Sequence, residues 1–424
     1  MHWRPQELDF LSPEETRAAY ASAWPPDAQV SVQSTGTGYG SPFEPLGKES
    51  VVGTRICKMF GIEAPIIAFS HCRDVVVEAS KAGGMGVLGA ESFTPEELAI
   101  ELAWIEEHID GRPYGVDVLF PVKFQDLSRL KHVDPQTLLP QRQREFVESI
   151  LQEHSVPHLP DGEEEAIARD RLQRGRATPM YSAQLLDVAF RSPGVKLIVS
   201  AIWTPPLGIV QRAHAAGMKF GAMVGKVEHA LRQRDAGVDL IIAQGYEAGG
   251  HTGEIATMVL TPEVVDAVAP LPVLAAGGIG RGRQMAAALA LGAEGVWCGS
   301  VWLTTTQSDA IPELRKKLLA AKSSDTVRTR SYSGKPARYL KNDWTDAWEA
   351  SGAPEPLMRP LQHLLAWPAL RRIERARAER LIGSPIGQVV GHMNQELTVR
   401  QVFYEMMSEC ADAVERMNQL IAES

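Results

Sequence analysis

From residue 51 onward the chain alternates short apolar runs with longer segments of helical period. Runs of strand length, rich in Val, Ile and Leu, fall at 65–69, 86–88, 115–119, Val195–Ser200, Lys219–Val224, 238–243, 272–276 and Gly295–Cys298. Helical patterns lie between them. One covers 74–82 and stops at Gly83-Gly84, a C-cap signal. Another covers 94–109, with Thr94 as N-cap and Pro95, Glu96 and Glu97 in the first turn. Further helices are predicted over 205–216 and Val227–Asp235, from Thr261-Pro262 onward, and over 283–291. Eight strands, each followed by a helical pattern, predict an α/β fold of the (β/α)8 (TIM) barrel type. An open doubly wound sheet is the alternative. It would want a GxGxxG after the first strand, and the chain has none there.

Three stretches depart from this rhythm. Residues 1–50 read as an arm: a short helix near 13–23, then irregular chain rich in Pro, Gly and Ser. The arm could wrap the domain or bridge to a partner subunit, which leaves a homodimer open. Residues 123–190 carry helix-like segments at 142–152 and 162–174 and read as a helical insertion, a lid or an oligomer contact. Residues 309–424 are mostly helical, with patterns at 311–321, 370–381 and 398–420. The expected organisation is an arm over 1–50, a barrel over 51–308 interrupted at about 123–190, and a C-terminal helical subdomain over 309–424.

Composition narrows the function. At 44% apolar and 22% charged, the 424-residue chain resembles an ordinary soluble globular protein. Its net charge of −9 and the lack of a dense Lys/Arg block argue against nucleic acid or an anionic membrane as partner. Cys57, Cys72, Cys298 and Cys410 are scattered, giving neither a disulfide framework nor a CxxC metal pattern; no metal site is expected, and a reducing cytoplasm fits. No signal-peptide core and no run long enough to span a membrane is visible.

Barrels of this type bind ligands at the C-terminal strand ends. Those ends carry Ala68-Phe69-Ser70 (then His71-Cys72), Asp117, Gly225-Lys226, Gln244, Ala276-Gly277-Gly278-Ile279-Gly280 and Gly299-Ser300. Glycine turns after the last two strands form the usual phosphate cradle, because glycine lets an anion approach backbone N–H groups. After the sixth strand the sequence AQGYEAGGHTGE presents Gln244, which can bond a ring edge, and the glycine-flanked His251, which titrates near neutral pH. Cradle, Gln and His together describe a flavin mononucleotide (FMN) site. His71 is a second candidate base. Cys72 reads as a packed thiol or a reactive one at the mouth. Lys335 and Arg338, within 332–339, could reach the phosphate, close over the site, or form a solvated basic loop.

AQGYEAGGHTGE also resembles the signature of the nitronate monooxygenase family. APIIAFS, EASKAGGMGVLGA, AAGGIG, LGAEGVWCGSVWL, TRSYSGKPAR, GAPEPLMRPLQ and GSPIGQVVG match in order, over about 51–120 and 194–395. The resemblance implies an FMN-dependent barrel with a helical C-terminal domain against its mouth. It implies oxidation of alkyl nitronates, or a related small carbon acid, by O2, with His251 as the catalytic residue. FMN positions carry over onto Ala68, Phe69, Ser70, Gln244, Gly277, Gly278, Gly299 and Ser300. Asp117 also faces the cofactor by position, but the family usually has Asn in that third strand; an acid there would disfavour a reduced, anionic flavin. Relatives with an EAGGH-like segment reduce quinones or enoyl thioesters, so an NAD(P)H-dependent flavin reductase is the alternative function.

Overall fold

A computed structural model describes residues 53–120, 135–173, 178–201 and 203–422. The arm with its helix near 13–23 lies outside them, as does part of the insertion.

The barrel closes. Its strands are β1 (Ile66–Ser70), β2 (Met85–Gly89), β3 (Tyr114–Val118), β4 (Val195–Ser200), β5 (Lys219–Val224), β6 (Leu240–Gln244), β8 (Val273–Ala276) and β9 (Gly295–Cys298), all parallel, with β9 returning to β1. β7 is the two-residue segment Gly250–His251 and lies outside the barrel. Alternation along each strand sorts side chains into two sets. Ile67, Met85, Val87, Leu197, Val199, Leu240, Ile242, Leu274 and Trp297 fill the lumen. Val116, Ile198, Phe220, Ile241 and Val273 point outward into the helix layer. Helix α1 (Arg55–Phe60), capped by Thr54, adds Ile56, Cys57 and Phe60 to the lumen cluster, so it plugs one end.

The helix layer contains α2 (Arg73–Lys81), α3 (Pro95–His108), α6 (Pro179–Phe190), α7 (Leu207–Ala215), α8 (Val227–Asp235), α9 (Thr257–Val268) and α10 (Gly282–Ala290). Thr94 makes the expected capping box with Glu97. Two helices differ from the sequence reading. α9 begins a turn before Thr261-Pro262 because the Glu247 carboxylate accepts from the Thr257 N–H and hydroxyl; Pro262 then lies inside the helix. α6 was not singled out within the insertion, yet its Tyr181, Leu185 and Leu186 join the barrel's outer core.

The remainder of the insertion turns elsewhere. Helices α4 (Gln141–Glu153) and α5 (Glu163–Gln173) lie against the C-terminal region. Val147, Ile150 and Leu151 of α4 share a core with Trp344, Trp348, Leu361, Leu364 and Leu365. That region comprises α11 (Pro312–Ala320), β10 (Thr326–Thr329), β11 (Ala337–Leu340), α12 (Asp343–Glu349), α13 (Leu361–Arg375) and α14 (Val399–Ala422). The helix expected at 370–381 is α13, which starts nine residues earlier and carries Pro368 inside it. Arg372 of α13 is buried and locks α4 in place. It donates to Glu148 Oε2 at 2.6 Å and to the carbonyls of Val156 and Pro157. α14 returns to the barrel, where Val402, Phe403 and Met406 pack beside α2 and α10. A Cβ at Gly282 would overlap the α14 backbone, so only glycine permits this approach.

Candidate functional site

The inward alternation reaches the C-terminal end of the lumen as a crown of Phe69, Asp117, Met223, Gln244 and Trp297. Register supports this: Asp117 pairs with Gly89 and Val199, and Gln244 with Ala276. Phe69 stacks on Trp297, with centroids 5.7 Å apart. Ala68 points the other way, into the α14-facing core, and offers the mouth only its backbone. Ser70 Oγ accepts from the Cys72 N–H at 3.0 Å. Gln244 makes no side-chain hydrogen bond to a described residue. Asp117 is 5% exposed, and no donor among the described residues reaches its carboxyl. Burial first, then the charge of Glu91, pushes that carboxyl well above the usual carboxylate range. The sequence-based objection to an anionic group here therefore weakens, since burial favours the neutral acid.

The glycine turns are strained as a cradle requires. Gly277 and Gly278 have φ of 102° and 69°. A Cβ on either would press on Thr257, Gly245 or Glu247. The N–H groups of Gly278, Ile279, Ser300 and Val301 meet no acceptor among the described residues. The N-terminus of α10 itself is already satisfied. Gln284 Oε1 accepts from Gly280 and Arg281, while Glu409 binds Arg281 and Arg283. An anion here would meet the turns rather than that helix end. Gly299 is open: a Cβ there would meet only Phe69, at 3.6 Å. Ser300 Oγ accepts from Gly387 N at 2.8 Å, tying the 383–388 strap beside the cradle.

His251 belongs to a second, three-stranded sheet ordered β10–β11–β7, in which it pairs with Ala337 and Gly250 pairs with Arg338. Its Nδ1 is 3.1 Å from the Pro336 carbonyl. A carbonyl can only accept, so Nδ1 carries the proton and Nε2 keeps a lone pair. Burial lowers the imidazole pKa; the Pro336 contact opposes this, and the charge of Arg359 adds to it. The ring is thus a neutral base. Arg338, expected to reach a phosphate or lie in solvent, is instead buried. It donates to the Tyr246 carbonyl and stacks on the Tyr246 ring at 4.6 Å.

Other groups face this mouth. Glu91, just past β2, has a charge that acts on both Asp117 and His251. Arg359 Nη2 stands 3.7 Å from Glu91. Lys335 Nζ lies 5.1 Å from the Trp203 ring, and burial, then Arg359, lowers its pKa. Trp203 holds φ 71°, costly for a bulky side chain; Ser200 Oγ and Gln233 Nε2 fix it by donating to its carbonyl. Glu91 was legible as a strand-end acid but was passed over. Arg359 lies within the matching stretch GAPEPLMRPLQ but was not singled out as a site residue. His71 is exposed but packs edge-on against the Phe69 ring, with centroids 5.2 Å apart, and its Nδ1 is 3.0 Å from Gly89 O; Cys72 is buried against Gln307 O at 3.2 Å.

The closed barrel thus brings a histidine and a pair of glycine turns to its C-terminal end. The family model described as Nitronate monooxygenase matches residues 54–409. A Mycobacterium tuberculosis protein named as a monooxygenase is 48% identical over 87% of this chain and 99% of its own. A Staphylococcus aureus protein named as a nitronate monooxygenase is 32% identical over 68% of this chain and 78% of its own. Among solved structures, nitroalkane oxidase from Streptomyces ansochromogenes is 25% identical at a TM-score of 0.69, covering 85% of this chain and 99% of that one. FabK from Thermotoga maritima is 25% identical at 0.66, covering 87% and 99%. The chain belongs to the nitronate monooxygenase family, whose members are typically flavin-dependent.

Proposed function

We propose that the protein is an FMN-dependent nitronate monooxygenase that oxidises an alkyl nitronate, or a related small carbon acid, with O2, using His251 as base. The observation that carries this reading is the 3.1 Å contact between His251 Nδ1 and the Pro336 carbonyl, which favours the tautomer with a free Nε2 lone pair. The chain's features fit FMN. Positive-φ glycines and free N–H groups at Gly278, Ile279, Ser300 and Val301 suit its phosphate. The lumen crown supplies a ring-sized apolar face in Phe69 and Trp297, with polar partners in Gln244 and Asp117. Bound there, FMN would supply the electron-accepting and O2 chemistry.

The residues do the rest. His251 Nε2 takes the proton of a carbon acid, or as imidazolium steadies a substrate that arrives as an anion. Arg359 and Lys335 add positive charge at the mouth, and Glu91 holds Arg359 in reach. Trp203 and Lys335 stand together on one side, with Lys335 Nζ 5.1 Å from the Trp203 ring. The test is His251→Ala. The purified variant is expected to retain released-and-identified FMN yet lose about 10²–10⁴-fold in kcat with a neutral nitroalkane, whose carbon proton the base must take. Full activity in that variant removes His251 from the mechanism. Rapid anaerobic bleaching of the wild type by NADH or NADPH, without turnover of nitronates, would make it a reductase instead.

A further inference from the structure

Asp117 is a buried acid on a barrel strand, at the end where a ligand would sit. It faces the barrel lumen, level with Gly89 on one neighbouring strand and Val199 on the other. Neither offers a hydrogen bond from a side chain. The residue is 5% exposed, no hydrogen bond from a described residue reaches its carboxyl, and it stands at the ligand end of the barrel. Leaving a polar group in this condition costs stability unless a ligand completes it. Its inward direction follows from Val116 and Val118, which pack outward on either side of it.

We propose that Asp117 serves as an un-ionised carboxylic acid that gives the polar edge of the flavin ring one donor and one acceptor at once. The inference rests on the FMN reading above. That edge of the ring is an imide, an N–H between two carbonyls. A neutral acid matches it with two bonds, O–H to carbonyl and N–H to carbonyl. A carboxylate matches only the N–H, and sets its charge against the carbonyl oxygens and against the negative charge the ring gains on reduction. Among the described residues the one charge acting on Asp117 is that of Glu91, itself beside Arg359. Both Glu91 and the apolar lumen favour the neutral form. Asp117 is therefore a positioning residue that does what an amide would do, but only while it keeps its proton.

The test compares wild type, Asp117→Asn and Asp117→Ala, each stripped of flavin. FMN affinity is followed by fluorescence quenching from mildly acidic to alkaline pH. Wild-type affinity is expected to fall as pH rises through the ionisation of Asp117. The Asn variant should show no such fall, and the Ala variant should bind about tenfold to hundredfold more weakly throughout. Other titrating groups at the mouth (His251, Lys335, Tyr339) are common to all three and cancel. Infrared spectra of the flavin-free wild type should show the carbonyl stretch of an un-ionised carboxyl at neutral pH, absent from Asp117→Asn. Folding gives a further check with a definite sign. The folded chain holds a proton on residue 117 that the unfolded chain releases above about pH 4. Stability conferred at this position therefore falls as pH rises from there towards the folded ionisation, so Asp117→Asn should melt higher than wild type at neutral pH. Parallel affinity curves for wild type and the Asn variant, or no un-ionised carboxyl band, would overturn the assignment while leaving the FMN reading intact. A wild type that takes up no FMN would overturn both.

Discussion

The barrel and the cap that covers it, α4 and α5 with the C-terminal region, are built on different physics. The barrel core is aliphatic and repeats a local rule: one face of each strand fills the lumen, the other meets a helix. The cap core is aromatic and ionic. Trp344, Trp348 and Phe146 pack with the Tyr332–Tyr339 stack, whose centroids are 3.9 Å apart, and the buried Arg372 joins two segments more than 200 residues apart. The barrel spreads its stability over many equivalent contacts. The cap concentrates it in a few that have no substitute.

That contrast can be tested by its strongest joint first. Arg372→Ala should cost about 3–5 kcal/mol, since it leaves Glu148 and two carbonyls without their buried partner. Urea unfolding should show the loss in a transition followed by cap tryptophan fluorescence. An equal loss in the barrel transition would mean that the two regions unfold as one. Leu274→Ala, in the lumen, should cost about 2–5 kcal/mol, and here the barrel transition should move. Acid sharpens the same distinction. Burial alone would raise the Glu148 pKa, but hydrogen bonds and charge from Arg372, then His158, hold it below the usual range. The stabilisation is thus complete above the unfolded carboxylate range and is lost as pH falls through the lower, folded value. Glu148→Gln should remove this acid sensitivity, read as the dependence of the urea midpoint on pH. At the shared site, kcat/KM with a neutral nitroalkane should hold below the usual histidine range and fall only as pH drops through the lowered His251 value, because taking its carbon proton needs the neutral base. The smallest effect is expected at Thr94→Ala, about 1 kcal/mol from loss of one barrel-helix capping box, seen in the melting temperature.

The same contrast explains what could be read from the sequence. Each barrel strand carries its own signal, so all eight were legible, and with them the strand ends Phe69, Asp117 and Gln244. The two-residue β7 has no period to read; it exists only because β11 lies alongside it. Nor does local pattern name partners: α4 is amphipathic and α6 buried over most of its length, yet neither says that α4 belongs with α13 and α6 with the barrel. The place of Arg359 beside Glu91 was hidden for the same reason: it depends on a chain separation that no motif spans. Where local pattern misled, at α9, a distant carboxylate from Glu247 had supplied the helix start.

The proton on His251 Nδ1 is held by main chain, not by a side chain. No point substitution deletes a carbonyl. Residues lining the opening above the histidine can therefore drift, and the range of molecules admitted can drift with them, while the reactive nitrogen stays available. If His251 is the base proposed above, related chains could change what they consume without rebuilding how they deprotonate it.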